Sequence, residues 1–352
     1  MLRPLALSLV FSFSPLFAEE NEWLVESYWG EAPVEVSANA DWKGDPVCSG
    51  RKAIFSVDFL YFKAVEDSLV YARRVPQNPT YQPVIRSIEQ SFGWDRGVRA
   101  QLIVPLPPEN LELGASWICF LAKPPAVRTD NSEYGIYAGL AIPVFGSAGN
   151  SLVQEVRGKW SVNLNSVDCF LRSCVGAAGS FRVLPMIAVQ SSWIHQRVTA
   201  EYTNYQIDAP MDNTPQKVTG KSEFWGIGPK IGLELQFWLP RNFGVFAGAN
   251  FSTLFGFFSL KTTYGDLLQA PPGSKITVCD FVQRVAPFAQ IQVGLSKKWA
   301  LKEASSLEII VGWEEQIWLG QMRMDWFSTL VSPPDGSDLT LSGLFVRGQI
   351  NF

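Results

Sequence analysis

The chain has 352 residues, of which 18% are charged and 13% aromatic, and its formal net charge is −4 at pH 7. Charged residues form about a quarter of an ordinary soluble domain, and this apolar, aromatic composition excludes a disordered chain, a coiled coil and collagen. The slight negative charge gives no general attraction to phosphate, so we expect no nucleic-acid partner. With 13 Trp, 24 Phe and 28 Gly, the composition indicates a large β-protein in contact with an apolar environment.

The N-terminus predicts export. Arg3 supplies a positive charge, residues 5–17 are apolar, and an acidic pair follows Ala18. This pattern is typical of a secretory signal peptide over 1–18, cleaved after Ala18. An uncleaved anchor is the alternative, although the apolar stretch is short for a membrane span.

The next segment, 19–52, is acidic. We expect it to form a periplasmic tail, and entry into the interior of the folded part is the alternative. The remaining residues, 53–352, form the predicted folded domain.

Apolar and polar residues alternate with a period of two along this domain, which predicts β-strands. From Ile231 to Leu239, for example, Ile, Leu, Leu, Phe and Leu alternate with Gly, Glu, Gln and Trp. Segments 68–75 and 134–145 also have strand character, so twelve strands are an alternative to ten. The ten predicted strands are 53–64, 92–104, 111–120, 153–174, 181–203, 218–239, 243–263, 279–297, 307–322 and 338–352.

The connections favour a membrane barrel. Residues 242–260 carry no charge, but their glycines, aromatic residues and alternation favour a strand over a helix. A membrane protein without helices must be a closed barrel, because hydrocarbon cannot satisfy strand edges. Short and long connections alternate along the chain, as in outer-membrane barrels. We therefore predict an all-β, antiparallel transmembrane β-barrel in the outer membrane, with a soluble β-sandwich as the alternative.

The last predicted strand ends on an aromatic residue. Leu344, Val346, Ile350 and Phe352 share one face, and Phe352 is the last residue. This resembles the signal by which outer-membrane barrels are recognised for assembly, so we expect the assembly machinery and membrane lipid as partners. The alternative is a soluble edge strand that happens to end on Phe.

The polar face of each strand is predicted to line the interior, because a Lys or Arg facing mid-membrane lipid costs about 2–4 kcal/mol. The apolar parity reverses across 165–167, which predicts a β-bulge there. The charged residues predicted to line the lumen are Asp58, Arg99, Glu112, Arg157, Lys159, Asp168, Arg172, His195, Arg197, Glu201, Lys230, Glu234, Arg284, Glu314 and Arg347.

These mixed charges have two interpretations: a water-filled path of weak ionic selectivity, or a plug of salt bridges. Ten or twelve strands are closer to a filled interior than to the wide channel of a 16-stranded porin. Tryptophans near the predicted strand ends are expected to form interfacial girdles. These are Trp193, Trp225, Trp313, Trp318 and Trp326 at the outer end, and Trp299 at the periplasmic end.

Several blocks resemble the Legionella-type major outer membrane protein family, which has relatives in environmental chlamydiae. They are FSVDFLYFKAVEDSLVYA (55–72), FGWDRGVRAQL (92–102), KWSVNLNSVD (159–168), FWGIGPKIGLELQFWL (224–239) and FVRGQINF (345–352). The resemblance covers most of the exported chain and implies a porin-like outer-membrane β-barrel. The long, Pro-containing first loop departs from it.

We expect a porin-like passive channel for ions or small solutes. The alternative is a structural or surface-interaction barrel without a through-pore. An odd count of five cysteines leaves a thiol for disulfide links to envelope neighbours or to a second copy of the chain. The cysteine spacing and a single histidine predict no metal and no cofactor. His195 beside Ser191 or Ser192 is the one arrangement considered for hydrolysis, and without a nucleophile motif we expect no enzyme.

Overall fold

The computed structural model describes residues 53–67, 69–76, 86–107, 111–130, 134–140, 152–176, 180–206, 215–265, 273–301, 305–322 and 337–352. The predicted signal peptide, 1–18, and the acidic segment, 19–52, lie outside these ranges. Within them, no helix has the length and apolar character needed to cross a membrane.

The described chain consists of antiparallel strands and one short 3-10 turn, Pro240–Asn242. In chain order the strands are β1 (Ile54–Glu66), β2 (Val70–Pro76), β3 (Arg86–Glu89), β4 (Trp94–Leu106), β5 (Leu111–Ala122), β6 (Val127–Asp130), β7 (Tyr134–Ala138), β8 (Leu152–Ser173), β9 (Val175–Gly176), β10 (Phe181–Gln206), β11 (Gln216–Leu239), β12 (Phe243–Gly265), β13 (Lys275–Ala300), β14 (Ser306–Met322) and β15 (Ser337–Asn351).

Ten of these strands close into a barrel. Their order around the ring is β1-β4-β5-β8-β10-β11-β12-β13-β14-β15, and β15 pairs again with β1. Following paired residues from Ile54 once around the ring returns to β1 at Glu66, twelve residues further along. Such a stagger tilts the strands strongly against the barrel axis. The predicted fold class and the count of ten strands are confirmed.

The two segments behind the twelve-strand alternative lie beside this ring. They form β2 and β7, which pair with each other, and β7 continues onto β8. β3 adds to β2, and β6 pairs with β8. These short strands extend one wall of the barrel beyond the closed ring.

The two ends of the barrel differ. β1 begins and β15 ends at the same end, where Pro240–Asn242 joins β11 to β12 in three residues. Arg241 and Asn242 have φ of 65° and 60° there, the left-handed conformation of a tight turn. The connections at the opposite end are longer. In outer-membrane barrels the short turns are periplasmic, so the long connections face outwards.

An apolar surface surrounds the lower part of the ring, by which we mean the part nearer the periplasmic end. On β1, Phe55, Val57 and Phe59 point outwards and are 41–49% exposed, whereas Asp58 between them is buried. A soluble sandwich would bury such side chains, whereas a membrane barrel presents them to lipid. The tryptophans Trp193, Trp225, Trp299 and Trp313 are exposed on this outer surface.

One tryptophan departs from the expected girdle. Trp318 is 1% exposed and points into the barrel. Trp326 lies outside the described residues.

The two faces exchange character towards the outer end. On β8, Trp160, Val162 and Leu164 point inwards and are buried, while Arg157 and Lys159 on the opposite face are exposed. The β8–β10 register is continuous, so the predicted bulge at 165–167 is wrong. The parity switch instead marks where the strand leaves the lipid, because beyond that level water surrounds the barrel and apolar side chains turn inwards.

Candidate functional site: the barrel interior

The lower interior contains a buried layer of ion pairs, which we call the polar layer: Asp58, Arg99, Glu314 and Arg347. Asp58 on β1 stands in register between Arg99 on β4 and Arg347 on β15. Its carboxylate accepts hydrogen bonds from Arg347 Nε at 2.8 Å and from Arg99 Nη1 at 3.0 Å. All four side chains are at most 9% exposed. The register of the ring therefore places complementary charges together.

Glu314 anchors this layer from β14. Its carboxylate accepts a hydrogen bond from Arg99 Nη2 at 2.5 Å, which spans the interior. Gln290, Gln292 and Gln316 donate their amide N–H groups to the same carboxylate at 2.5 to 2.7 Å. Four donors thus satisfy a charge that has no contact with solvent, as buried ionic groups require.

A second group of charges cross-links the opposite wall. Lys230 on β11 donates to Asp168 on β8 at 2.7 Å, passing over β10. Arg172 pairs with Glu112 at 2.7 Å and approaches Glu234 at 3.6 Å. These charges are tied to one another by direct contacts, which leaves little freedom for them to bind a passing ion.

Apolar side chains fill the interior above the polar layer. We call these residues the apolar layer, and nine of the ten ring strands supply them. β4 contributes Gly97 at this level, against which the Phe120 ring packs so closely that an added Cβ would lie 2.9 Å from it. The members, each at most 2% exposed, are Phe62, Phe120, Leu164, Ile194, Phe224, Leu254, Phe288, Trp318 and Leu339.

Residues outside the ring close this layer from the outer end. Tyr71 on β2 packs its ring over Gly158 of β8, where an added Cβ would lie 2.5 Å away. Its hydroxyl donates to Gln90 at 2.8 Å, and Tyr202 donates to its carbonyl at 2.8 Å. Ile136 of β7 belongs to the same buried cluster. The described chain therefore covers the apolar layer with ordered contacts.

A cavity of about 90 Å³ lies beside the charged groups. Arg99, Asp168, Lys230 and Gln290 line it, and Phe288 and Trp318 bound it on the side of the apolar layer. Charged and apolar side chains both line this cavity, and its volume accommodates several water molecules.

The fifteen predicted lumen residues separate into nine inside the barrel, five on its outer surface, and Arg284, which belongs to neither set. Nine of them point into the lower interior: Asp58, Arg99, Glu112, Asp168, Arg172, Lys230, Glu234, Glu314 and Arg347. Arg284 is exposed on the part of β13 that pairs with β12 but not with β14.

The other five require correction. They lie on the outward face of β8 and β10, beyond the apolar surface, because there the polar face of each strand meets water outside the barrel. These residues are Arg157, Lys159, His195, Arg197 and Glu201.

The sequence reasoning missed Gln290, Gln292 and Gln316, which hold Glu314. Their alternation with apolar residues on β13 and β14 marks them as inward-facing, but the criterion of charge does not select an uncharged glutamine.

The arrangement considered for hydrolysis is not assembled. His195 is exposed on the outward face, whereas Ser192 is buried inside. Ser191 donates its hydroxyl to the Gly226 carbonyl at 3.3 Å. Over the residues that the structure describes, no group of three His, Cys, Asp or Glu side chains is placed to hold a metal ion.

The cysteines occupy different environments. Cys174 is disulfide-bonded. Cys119, Cys169 and Cys279 carry free thiols. Of these, Cys169 and Cys279 are exposed. Cys279 lies opposite Lys261, beyond the apolar surface.

A closed ring with an apolar exterior, short turns at one end and long connections at the other defines an outer-membrane β-barrel. The family described as "Legionella pneumophila major outer membrane protein precursor" matches residues 46–352, and the chain belongs to this family. The family match and the fold place the protein in the outer membrane. No curated protein matches the chain.

Solved structures with a related fold are remote. The outer membrane protease OmpT from Escherichia coli shares 11% identity at a TM-score of 0.42, covering 85% of this chain and 96% of that chain. A Pseudomonas aeruginosa FadL homologue shares 9% at 0.27, covering 85% and 89%. The Pseudomonas putida toluene transporter TodX shares 7% at 0.19, also covering 85% and 89%. Likenesses this distant say nothing about binding or catalysis by this chain.

Proposed function

We propose that this protein is a sealed structural barrel of the outer membrane, which acts through its outer surface and loops and passes no solute through its interior. The apolar layer carries this proposal. A conducting path needs water or polar groups along its whole length, whereas Phe62, Phe120 and Phe224 of this layer are at most 1% exposed. The polar layer also supports a sealed barrel, because the carboxylates of Asp58 and Glu314 accept hydrogen bonds from neighbouring side chains.

The remaining roles concern the surface. Phe352 is 52% exposed at the periplasmic end and serves as the assembly signal. Cys279 is the free thiol placed to link a neighbouring envelope protein or a second copy of the chain. The proposal includes no catalytic role, and the opposite orientations of His195 and Ser192 support this for the one arrangement considered for hydrolysis.

A porin-like passive channel for ions or small solutes is the second candidate. The cavity beside Arg99 and Lys230 favours it, since a cavity lined by charged groups resembles the vestibule of a narrow path. In that case the apolar layer would have to part during conduction.

Planar-bilayer recordings separate the two candidates. Refolded full-length protein is expected to give no conductance steps under conditions in which a known porin conducts, because the apolar layer excludes ions. Discrete steps would reject the sealed barrel. If steps occur and the cavity lies on their path, Arg99→Trp and Lys230→Trp will reduce them.

A further inference from the structure

The outward face of β10, β11 and β12 carries three cations side by side. Arg197 is in register with Lys221, and Lys221 is in register with Lys261. All three are exposed, and we call them the basic row. Like charges directly opposite one another on neighbouring strands destabilise a sheet, so this arrangement needs an explanation.

The neighbouring cations behave differently. Two levels further out, Lys217 pairs with Glu201 at 2.8 Å, and Arg157 pairs with Glu155 at 2.8 Å. In the part of the chain that the structure describes, no carboxylate lies within 4 Å of a side-chain nitrogen of the basic row. Among the described residues, ion pairs therefore form at the cations furthest from the membrane, whereas the three cations of the basic row pair with no described carboxylate.

The basic row lies just beyond the outer aromatic girdle. Trp193 is in register with Trp225, and Trp225 stacks on Phe257 at 5.8 Å. On β11, Lys221 lies four residues from Trp225 in the direction of the outer end. For a strand tilted by about 40°, this separation is roughly 10 Å along the membrane normal. Tryptophan rings of this kind mark the boundary between acyl chains and headgroups.

The surroundings add neutral polar groups. Thr199, Thr219 and Thr263 are in register on the same face, immediately beyond the basic row. Lys159 is in register with Thr199 and contributes a fourth cation. On the membrane side, Glu223 faces His195, so one carboxylate adjoins the row without neutralising it.

We propose that the basic row, with Lys159, binds the phosphate groups of a lipopolysaccharide molecule of the outer leaflet. Its acyl chains would lie against the apolar surface below Trp193 and Trp225, and its sugars against the threonines. The charge, the height above the girdle and the lack of carboxylate partners among the described residues all fit an anionic lipid headgroup. The inference depends on the membrane location and holds whether or not the interior conducts.

Binding of bisphosphorylated lipid A in mixed micelles tests this proposal. The triple variant Arg197→Gln, Lys221→Gln, Lys261→Gln is expected to bind about 100-fold more weakly than the wild type, at about five-fold per cation. Lipid A without phosphates should bind the wild type as weakly as the intact lipid binds the triple variant. The matched control removes three exposed cations elsewhere, Arg73→Gln, Arg96→Gln and Lys123→Gln, and should stay within about three-fold of the wild type.

Further measurements keep the result interpretable. Heat-modified migration in detergent gels verifies that each variant is folded. The variant Lys221→Arg, Lys261→Arg should retain binding, because the charges persist. Unchanged affinity in the triple variant, or an equal loss in the control, would overturn the proposal. Competition by millimolar inorganic phosphate as effective as that by lipid A would show a free-anion site and reject the lipid assignment.

Discussion

Replacing Glu314 by glutamine is expected to lower the free energy of unfolding by about 3–5 kcal/mol. Arg99 would keep its charge inside the barrel but lose its ion pair with Glu314, which joins β4 to β14 across the interior. The three glutamines that donate to Glu314 would face an amide that offers one acceptor oxygen instead of two. Urea-induced unfolding of the refolded protein in detergent measures the change.

The next residue supplies the control. Glu315 lies on the outward face and is exposed, so Glu315→Gln makes the same chemical change without touching the network. Its unfolding free energy should stay within about 0.5 kcal/mol of the wild type or rise above it. Equal destabilisation by both substitutions would show that the polar layer is not what makes Glu314 important.

Truncating Phe258 to alanine is expected to cost about 3–5 kcal/mol. This side chain is 1% exposed and packs against Phe224 with ring centroids 4.6 Å apart. Its removal loses the transfer free energy of the ring and leaves a cavity that rigid strands cannot close. The same unfolding assay applies.

Phe251→Ala is the matched change on the same strand. Phe251 is 49% exposed on the lipid-facing side, and acyl chains fill the space that its ring leaves. Only the transfer contribution of about 1.5–3 kcal/mol is then lost. Phe258→Ala should therefore be the more destabilising by about 1–2 kcal/mol, and an equal loss would argue that the interior around Phe224 is loosely packed.

The sequence predicts the strands well because membrane-facing alternation is strong. On β1, Phe55, Val57 and Phe59 face lipid as predicted, and Asp58 faces inwards. The tight turn at 240–242 also lies where Pro and Asn indicate it. In the part of each strand that crosses the membrane, apolar side chains face the lipid and polar side chains face the interior, so a single rule assigns both faces.

The same rule fails where the strands project beyond the membrane. β10 spans 26 residues, far more than the roughly 10 needed to cross the bilayer. In its outer half Ile194 turns inwards and Arg197 outwards, because water has replaced lipid outside. The reversal of apolar parity at 165–167 reflects this change of surroundings. Within a single strand, the same reversal is also what a β-bulge produces.

Pairing across the interior was beyond sequence reasoning. Arg99 and Glu314 are 215 residues apart. Their meeting depends on the stagger of the whole ring, which no single segment specifies. The sequence therefore supplied the members of the polar layer but not their partners.

The central claim is that apolar side chains close the barrel interior at the level of the apolar layer, while polar side chains cover the exterior just beyond it. Adjacent cysteines test both parts at once, in a background with Cys119, Cys169 and Cys279 changed to serine. A charged thiol reagent is expected to label His195→Cys rapidly and to leave Ile194→Cys unlabelled in the folded protein, because Ile194 is 1% exposed. Labelling of Ile194→Cys at a rate comparable to that of His195→Cys would contradict the account.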